Sequence, residues 1–421
     1  MIQSRHWFVR APVKVAPALN SFLQRAVTFE NSGNWFSAAE AYGLLRDVLD
    51  AAPTLRDPIM NARVSARAAS CFEIAFHYKM AARHYDRAAK EVADARGDPL
   101  LSGELFNRAA RQFDLGCETL AAGSTWVRAA EEFDKIPASI VDCTDDAPPL
   151  PTSAFKAHLC GICLEAGAAA YEKGIGAFSV MAYWRAGSAY RAGIPAIQVF
   201  NAYRSALRAH IRYFGTLDVL QMRRSLPLSE ADREYGSDPL LVMEWALANS
   251  YGPQFPHDPA QARLKTDQQI AATFHEFSLQ LQSAGNVREA GQFRAAQNER
   301  QRRVLFFQRR YGSAVLYWLW KFTSDYGESL GRWASMCFCV LLLFGLGYDI
   351  FGVVGSGNVS DKSLGVIDYF YFSVVTFSTL GYGDLHPIGM LGKSLACLEV
   401  FLGLGMFGVL LSFIGSRFQR S

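Results

Sequence analysis

The sequence carries little net charge: 42 Lys and Arg against 39 Asp and Glu leave +3 over 421 residues. That balance argues against a nucleic-acid partner, which calls for basic residues gathered on one face. Cysteine is sparse and unpatterned. The eight (Cys71, Cys117, Cys143, Cys160, Cys163, Cys337, Cys339 and Cys397) have no framework spacing. Cys160-Gly-Ile-Cys163 lacks the second pair or the nearby histidines that zinc requires, and it falls on a helical stretch rather than after a strand. These thiols read as small core residues. The eight histidines form no ligand cluster, and no nucleophile and base stand together in a recognisable motif, so no catalytic residue, organic cofactor or enzyme activity is expected. Met1-Ile-Gln-Ser-Arg-His has no apolar h-region, so no secretory signal is expected at this start.

Charge is also absent locally, and that absence is informative. Residues 334–354 hold one formal charge, Asp349, and residues 394–415 hold one, Glu399. A helix of about 21 residues reaches about 31 Å, enough for the hydrocarbon core, so two membrane spans are expected, at about 334–354 and 391–416. Arg302, Arg303, Arg309, Arg310, Lys321 and Arg332 precede the first, and Arg417 and Arg420 follow the second. The loop between them carries Asp361, Lys362, Asp368 and Asp384. Positive flanks stay inside, which places both termini in the cytoplasm of a cell membrane.

The segment from Asp368 to Pro387 is too short to span twice and too apolar for a free loop, so it should re-enter the membrane, where irregular backbone is tolerated only against protein or a water-filled path. Asp368 suits an N-cap or first-turn acid of a short helix ending near Ser378, whose negative end would favour a cation. In Thr379-Leu380-Gly381-Tyr382-Gly383 the glycines can take positive φ, as a backbone turning successive carbonyls to one axis must. Such carbonyls replace an ion's hydration shell.

This segment closely resembles the pore loop of two-transmembrane potassium channels, over roughly residues 333–418. The resemblance implies a homotetramer embedded in lipid, with K+ ions in a selectivity filter formed by Thr379, Leu380, Gly381, Tyr382 and Gly383. Asp384 would stand at the outer mouth. Tyr371 and Phe372 would form an aromatic cuff on Tyr382, with Thr376 beside them on the pore helix, and Gly403 would be the gating hinge. Leu404, Phe407 and Leu411 share one helical face and would line the cavity. Leu380 replaces the commoner valine, and Val375 stands where some members carry a glutamate. With two spans there is no arginine-repeat voltage sensor. Glu399 has two readings, a functional intramembrane carboxylate or a hydrogen bond to the back of the pore helix. Gly403-Leu-Gly405-Met-Phe-Gly408 and Gly392-Lys393-Ser394 echo phosphate-binding patterns but lack the strand-turn-helix setting.

Residues 15–300 show helical periodicity and no convincing strands. A turn followed by small residues and an aromatic recurs: Ser32-Gly33-Asn34 with Ala38-Ala39 and Tyr42, then Ala81-Ala82 and Tyr85, Ala129-Ala130 and Phe133, Ala186-Gly187 and Tyr190, and Gly285-Asn286 with Ala290 and Phe293. It resembles tetratricopeptide-type hairpins, especially the long-helix form of vesicle-fusion adaptors. The chain should therefore be all-α: an N-terminal segment (1–14), two helical lobes (15–136 and 152–300) about an acidic, Pro-rich linker (137–151), an interfacial coupling helix (301–332) and a pore module (333–421), with its pore helix and filter over 366–384. The solenoid would either bind a cytosolic protein, peptide or small molecule, or serve as a scaffold for the tetramer. The competing readings are a membrane-anchored adaptor or a weakly selective cation channel.

Overall fold

The computed structural model describes residues 9, 13–52, 57–95, 97–137, 152–191, 196–218, 222, 238–251, 254–356 and 364–418. The expected linker at 137–151 falls almost wholly outside them, as do Asp361, Lys362 and Arg420. The chain divides into two compact units, Met1–Ala262 and Arg263–Ser421.

In the first unit, antiparallel helices follow one another as α1 (Asn20–Asn31), α2 (Trp35–Ala51), α3 (Pro58–Ile74), α4 (Tyr78–Asp94), α5 (Pro99–Leu115), α6 (Thr119–Asp134), α7 (Thr152–Lys173), α8 (Ala177–Tyr190), α9 (Ala196–Phe214) and α10 (Pro239–Tyr251). Two local signals set their ends. Asp-Pro opens α3, α5 and α10, and also α11 (Pro259–Ser283). In each the aspartate oxygen accepts a backbone N–H two or three residues on, at 2.9–3.0 Å, while proline gives up an N–H with no helical partner. Within hairpins, one left-handed residue reverses the chain: Gly33 (φ +77°), Phe76 (φ +61°) and Cys117 (φ +60°). The next residue's N–H then bonds back to the carbonyl of Phe29, Phe72 or Phe113 at 2.9–3.0 Å, a Schellman closure repeated three times.

Small residues carry the packing. Ala38, Ala39, Ala81, Ala82, Ala129 and Ala130 are buried, and Tyr42, Tyr85, Phe133 and Tyr190 fill the space between helices. A Cβ on Gly161 would lie 2.0 Å from the Tyr190 ring, so that approach requires glycine. The phenols are not merely filler. Tyr42 donates to Glu30 (2.8 Å), Tyr85 to Glu73 (2.7 Å) and Tyr190 to Glu165 (3.0 Å), each joining the two helices of one hairpin. Arg67 from the following hairpin also reaches Glu30, tying neighbours together.

Packing continues across the expected linker. Cys160 Sγ meets the Ala130 carbonyl at 3.3 Å, which joins α7 to α6, and Lys173 pairs with Asp114 at 2.7 Å, which joins α7 to α5. The boundary between the two compact units falls at residues 262/263, inside α11. The last hairpin, α11 with α12 (Val287–Phe307), therefore belongs largely to the pore-bearing unit, where Phe274 and Phe277 pack edge-on against Phe293. The expected single coupling helix over 301–332 is also corrected. Another left-handed turn, at Arg309 (φ +58°), ends α12, and a separate helix, α13 (Tyr311–Ser324), follows.

Candidate functional site

Three apolar helices complete the second unit: α14 (Leu330–Phe351), α15 (Val366–Phe377) and α16 (Gly389–Phe418). The first and last are long and apolar enough to cross a membrane, and the middle one is too short. Gly352 (φ +57°) closes α14, so the span stops before 354. Val354 instead enters a two-stranded ribbon, which nothing in the sequence pattern announces, that pairs β1 (Val354–Ser356) with β2 (Leu385–Pro387) in antiparallel register. This ribbon ties the end of α14 to the stretch just after residues 379–383.

The N-cap of α15 is Gly365, not Asp368. The Asp368 carboxylate reaches back to accept the Gly365 N–H at 2.8 Å, which makes it a first-turn acid at the positive helix end. The helix ends as the solenoid hairpins do. Leu380 N–H bonds to the Val375 carbonyl (3.0 Å) and Thr379 N–H to Thr376 (3.1 Å), with Thr379 left-handed at φ +55°. Gly381 (φ +60°) and Gly383 (φ +80°) follow. Positive φ thus falls on alternate residues, 379, 381 and 383, and only the first is a residue that pays a steric penalty for it. Leu380 and Tyr382 are exposed within the single chain.

Behind this segment lies a polar cluster in apolar surroundings. Glu399 on α16 is fully buried. Tyr348 on α14 donates to its Oε2 at 2.7 Å, and Ser373 on α15 bonds its Oε1. Ser373 also meets the Leu341 carbonyl at 3.0 Å. One carboxylate therefore joins both long helices to the short one. Trp333 adds a second tie, donating its indole N–H to the Met406 carbonyl at 3.0 Å. The sequence singles out Glu399 but not Tyr348, Ser373 or Trp333. The available signal is that polar groups among apolar spans need partners.

The other site residues separate. Tyr371 is exposed within the single chain. Phe372 is buried edge-on against Tyr348 (centroids 4.9 Å apart). Helical geometry explains this, because Phe372 lies beside Ser373 on the flank of α15 that packs on α14. Gly403 has a steric role, since a Cβ there would stand 2.3 Å from the Phe377 carbonyl oxygen. Gly405 and Gly408 face open space within the chain. Leu404, Phe407 and Leu411 are all exposed, on one face of α16. Among the described residues no cluster of His, Cys, Asp or Glu could hold a metal ion.

Two spanning-length helices around a re-entrant helix that ends in an alternating left-handed segment define the class of pore-loop ion channels. Residues 336–420 match the ion-channel family model. Several potassium channels are similar over short stretches. Two-pore potassium channel 1 of Arabidopsis thaliana is 49% identical over 51 residues (12% of this chain, 14% of the relative). The inward rectifier potassium channel Kirbac3.1 of Paramagnetospirillum magnetotacticum is 47% identical over 53 residues (13% and 18%). Two-pore potassium channel 4 of Arabidopsis thaliana is 36% identical over 94 residues (21% and 32%). The C-terminal module is thus similar to an ion-channel family and to potassium channels over a limited stretch. The chain spans less than a third of the length of these relatives, and the matches cover at most 21% of this chain.

Proposed function

We propose that the chain is a subunit of a potassium-selective channel, assembled as a tetramer with both termini cytoplasmic, whose opening is biased by what its helical unit binds. The observation that carries this reading is the left-handed backbone at Thr379, Gly381 and Gly383 immediately after the end of α15. Alternating handedness turns successive carbonyls the same way, and four such segments around an axis make stacked rings of oxygen that replace water around a dehydrated K+. Asp384 adds negative charge at the mouth. Below the filter, Leu404, Phe407 and Leu411 offer an apolar wall to the cavity. The spans contain no repeated arginines, so voltage sensing is not part of the mechanism.

The route from the helical unit to the pore runs through α13, whose Tyr311, Leu316, Trp318 and Phe322 are exposed. Aromatic residues of that kind suit the headgroup boundary just inside a bilayer. Potassium flux into liposomes holding the purified full chain tests the proposal. Uptake of K+ well above Na+ is expected, and Gly383→Ala abolishes the preference because a Cβ disfavours the required φ of +80°. Equal K+ and Na+ uptake by the unaltered protein would make it a weakly selective cation channel instead.

A further inference from the structure

Between α13 and α14 the chain makes a turn that nothing in its composition requires. Asp325 (φ +51°), Tyr326 (φ +57°) and Gly327 (φ +83°) are left-handed in succession. Tyr326 is also buried, 3% exposed, with its ring edge-on to Trp320 at 5.7 Å. A bulky L-residue avoids that conformation, and it persists only where its surroundings hold it. Glu299, on α12, does the holding. Its Oε2 accepts from the Tyr326 hydroxyl (2.9 Å) and from Lys321 on α13 (2.9 Å), and its Oε1 accepts from Arg302 (2.7 Å), with Arg303 at 3.8 Å. One carboxylate therefore gathers α12, α13 and the turn that leads into the first span. A second contact runs in parallel, since Glu328 in the same turn pairs with Arg294 of α12 at 3.4 Å.

We propose that Glu299 and Tyr326 form a latch that fixes the entry of the first span against the last cytosolic hairpin, and that the latch sets the open probability of the pore. This rests on the channel reading above. The bistable element is the turn 325–327: with the carboxylate in place it is left-handed, and without it the turn relaxes and α14 loses a fixed origin. Burial alone would raise the Glu299 carboxyl, but the bonds from Arg302, Lys321 and Tyr326 outweigh it and hold it down at about 2. The latch therefore stays charged throughout the physiological range and responds to load rather than to protons.

The test is single-channel recording of the full chain in bilayers, comparing the unaltered protein with Glu299→Gln, Tyr326→Phe and the double variant. Each single change is expected to shift open probability at least about fivefold in the same direction, the range of ordinary coupling between sites. The double variant shifts it no further, because both changes break one joint. Unitary conductance and the K+/Na+ permeability ratio stay unchanged. Lys173→Gln, which breaks an exposed pair with Asp114 in the other unit, is the control and leaves gating alone. If Glu299→Gln fails to assemble, Tyr326→Phe still decides, since it removes one hydroxyl and keeps the ring. Unchanged open probability in a conducting protein overturns the latch, and so does an altered permeability ratio. An unaltered protein that conducts nothing sinks the channel reading, and the latch with it.

Discussion

Glu399 is the one formal charge in residues 394–415, and its oxygens find hydroxyls where a surface carboxylate would find water. Removing the acceptor takes the partner from the Tyr348 hydroxyl and leaves Ser373 only the Leu341 carbonyl. Glu399→Ala should therefore destabilise the assembled pore by about 2–4 kcal/mol. Glu399→Gln keeps a carbonyl of the same size and should lose less than half of that. Thermal dissociation of the detergent-solubilised oligomer, followed by size exclusion, checks the order unaltered, Gln, Ala; equal losses for the two variants would show that shape rather than hydrogen bonding matters here. Sequence alone marks Glu399 as a residue in need of partners. It does not say which, because they lie 51 and 26 residues away and any hydroxyl in the neighbouring spans is eligible. Gly403 shows the complementary difficulty. The sequence offers Gly403 as a hinge, whereas the close approach, with a Cβ there standing 2.3 Å from the Phe377 carbonyl oxygen, is announced by no spacing in the sequence.

At the scale of elements, one turn is used repeatedly with different residues. Gly33 and Gly285 fill it at little cost, whereas Phe76, Cys117, Arg309 and Thr379 adopt the same left-handed φ with a side chain attached. That difference explains why the repeat is only half legible. Gly33-Asn34 and Gly285-Asn286 announce themselves as turns, but Phe76-His77 and Cys117-Glu118 carry no such chemistry, and tertiary packing imposes the conformation there. Asp-Pro, present at four helix starts, is a stronger boundary signal than the alanine pairs. Cys117 is exposed, so its strain can be relieved without disturbing packing. Cys117→Gly should stabilise the helical unit by about 1 kcal/mol, the left-handed penalty less the extra freedom of the unfolded chain. Hydrogen exchange of the full chain reports it as slower opening of α5 and α6. Faster opening there would mean that the cysteine makes a contact worth more than the strain.

At the scale of the whole molecule, the two units should answer acid in opposite senses. Burial raises the Glu165 carboxyl in the first unit, despite the hydrogen bond from Tyr190 that lowers it. A carboxyl raised on folding is better tolerated when protonated, so acidification does not loosen the α7–α8 hairpin through this group. Glu299 in the second unit has the reverse sign. Its folded value of about 2 lies below the unfolded one, so its contribution is fully present above about pH 4.3 and is lost as pH falls from there toward 2. Acid should therefore free the turn 325–329 and the start of α14 while the Tyr190–Glu165 hairpin keeps its protection. Hydrogen exchange of the full chain in nanodiscs, corrected for the intrinsic pH dependence of exchange, reads both regions in one experiment. Glu299→Gln should show the loosened pattern already at neutral pH and little further change on acidification. If protection at the turn holds down to about pH 2 in the unaltered protein, the three donors around Glu299 do not restrain it, and the entry to the first span is fixed by the packing of Trp320 and Tyr326 alone.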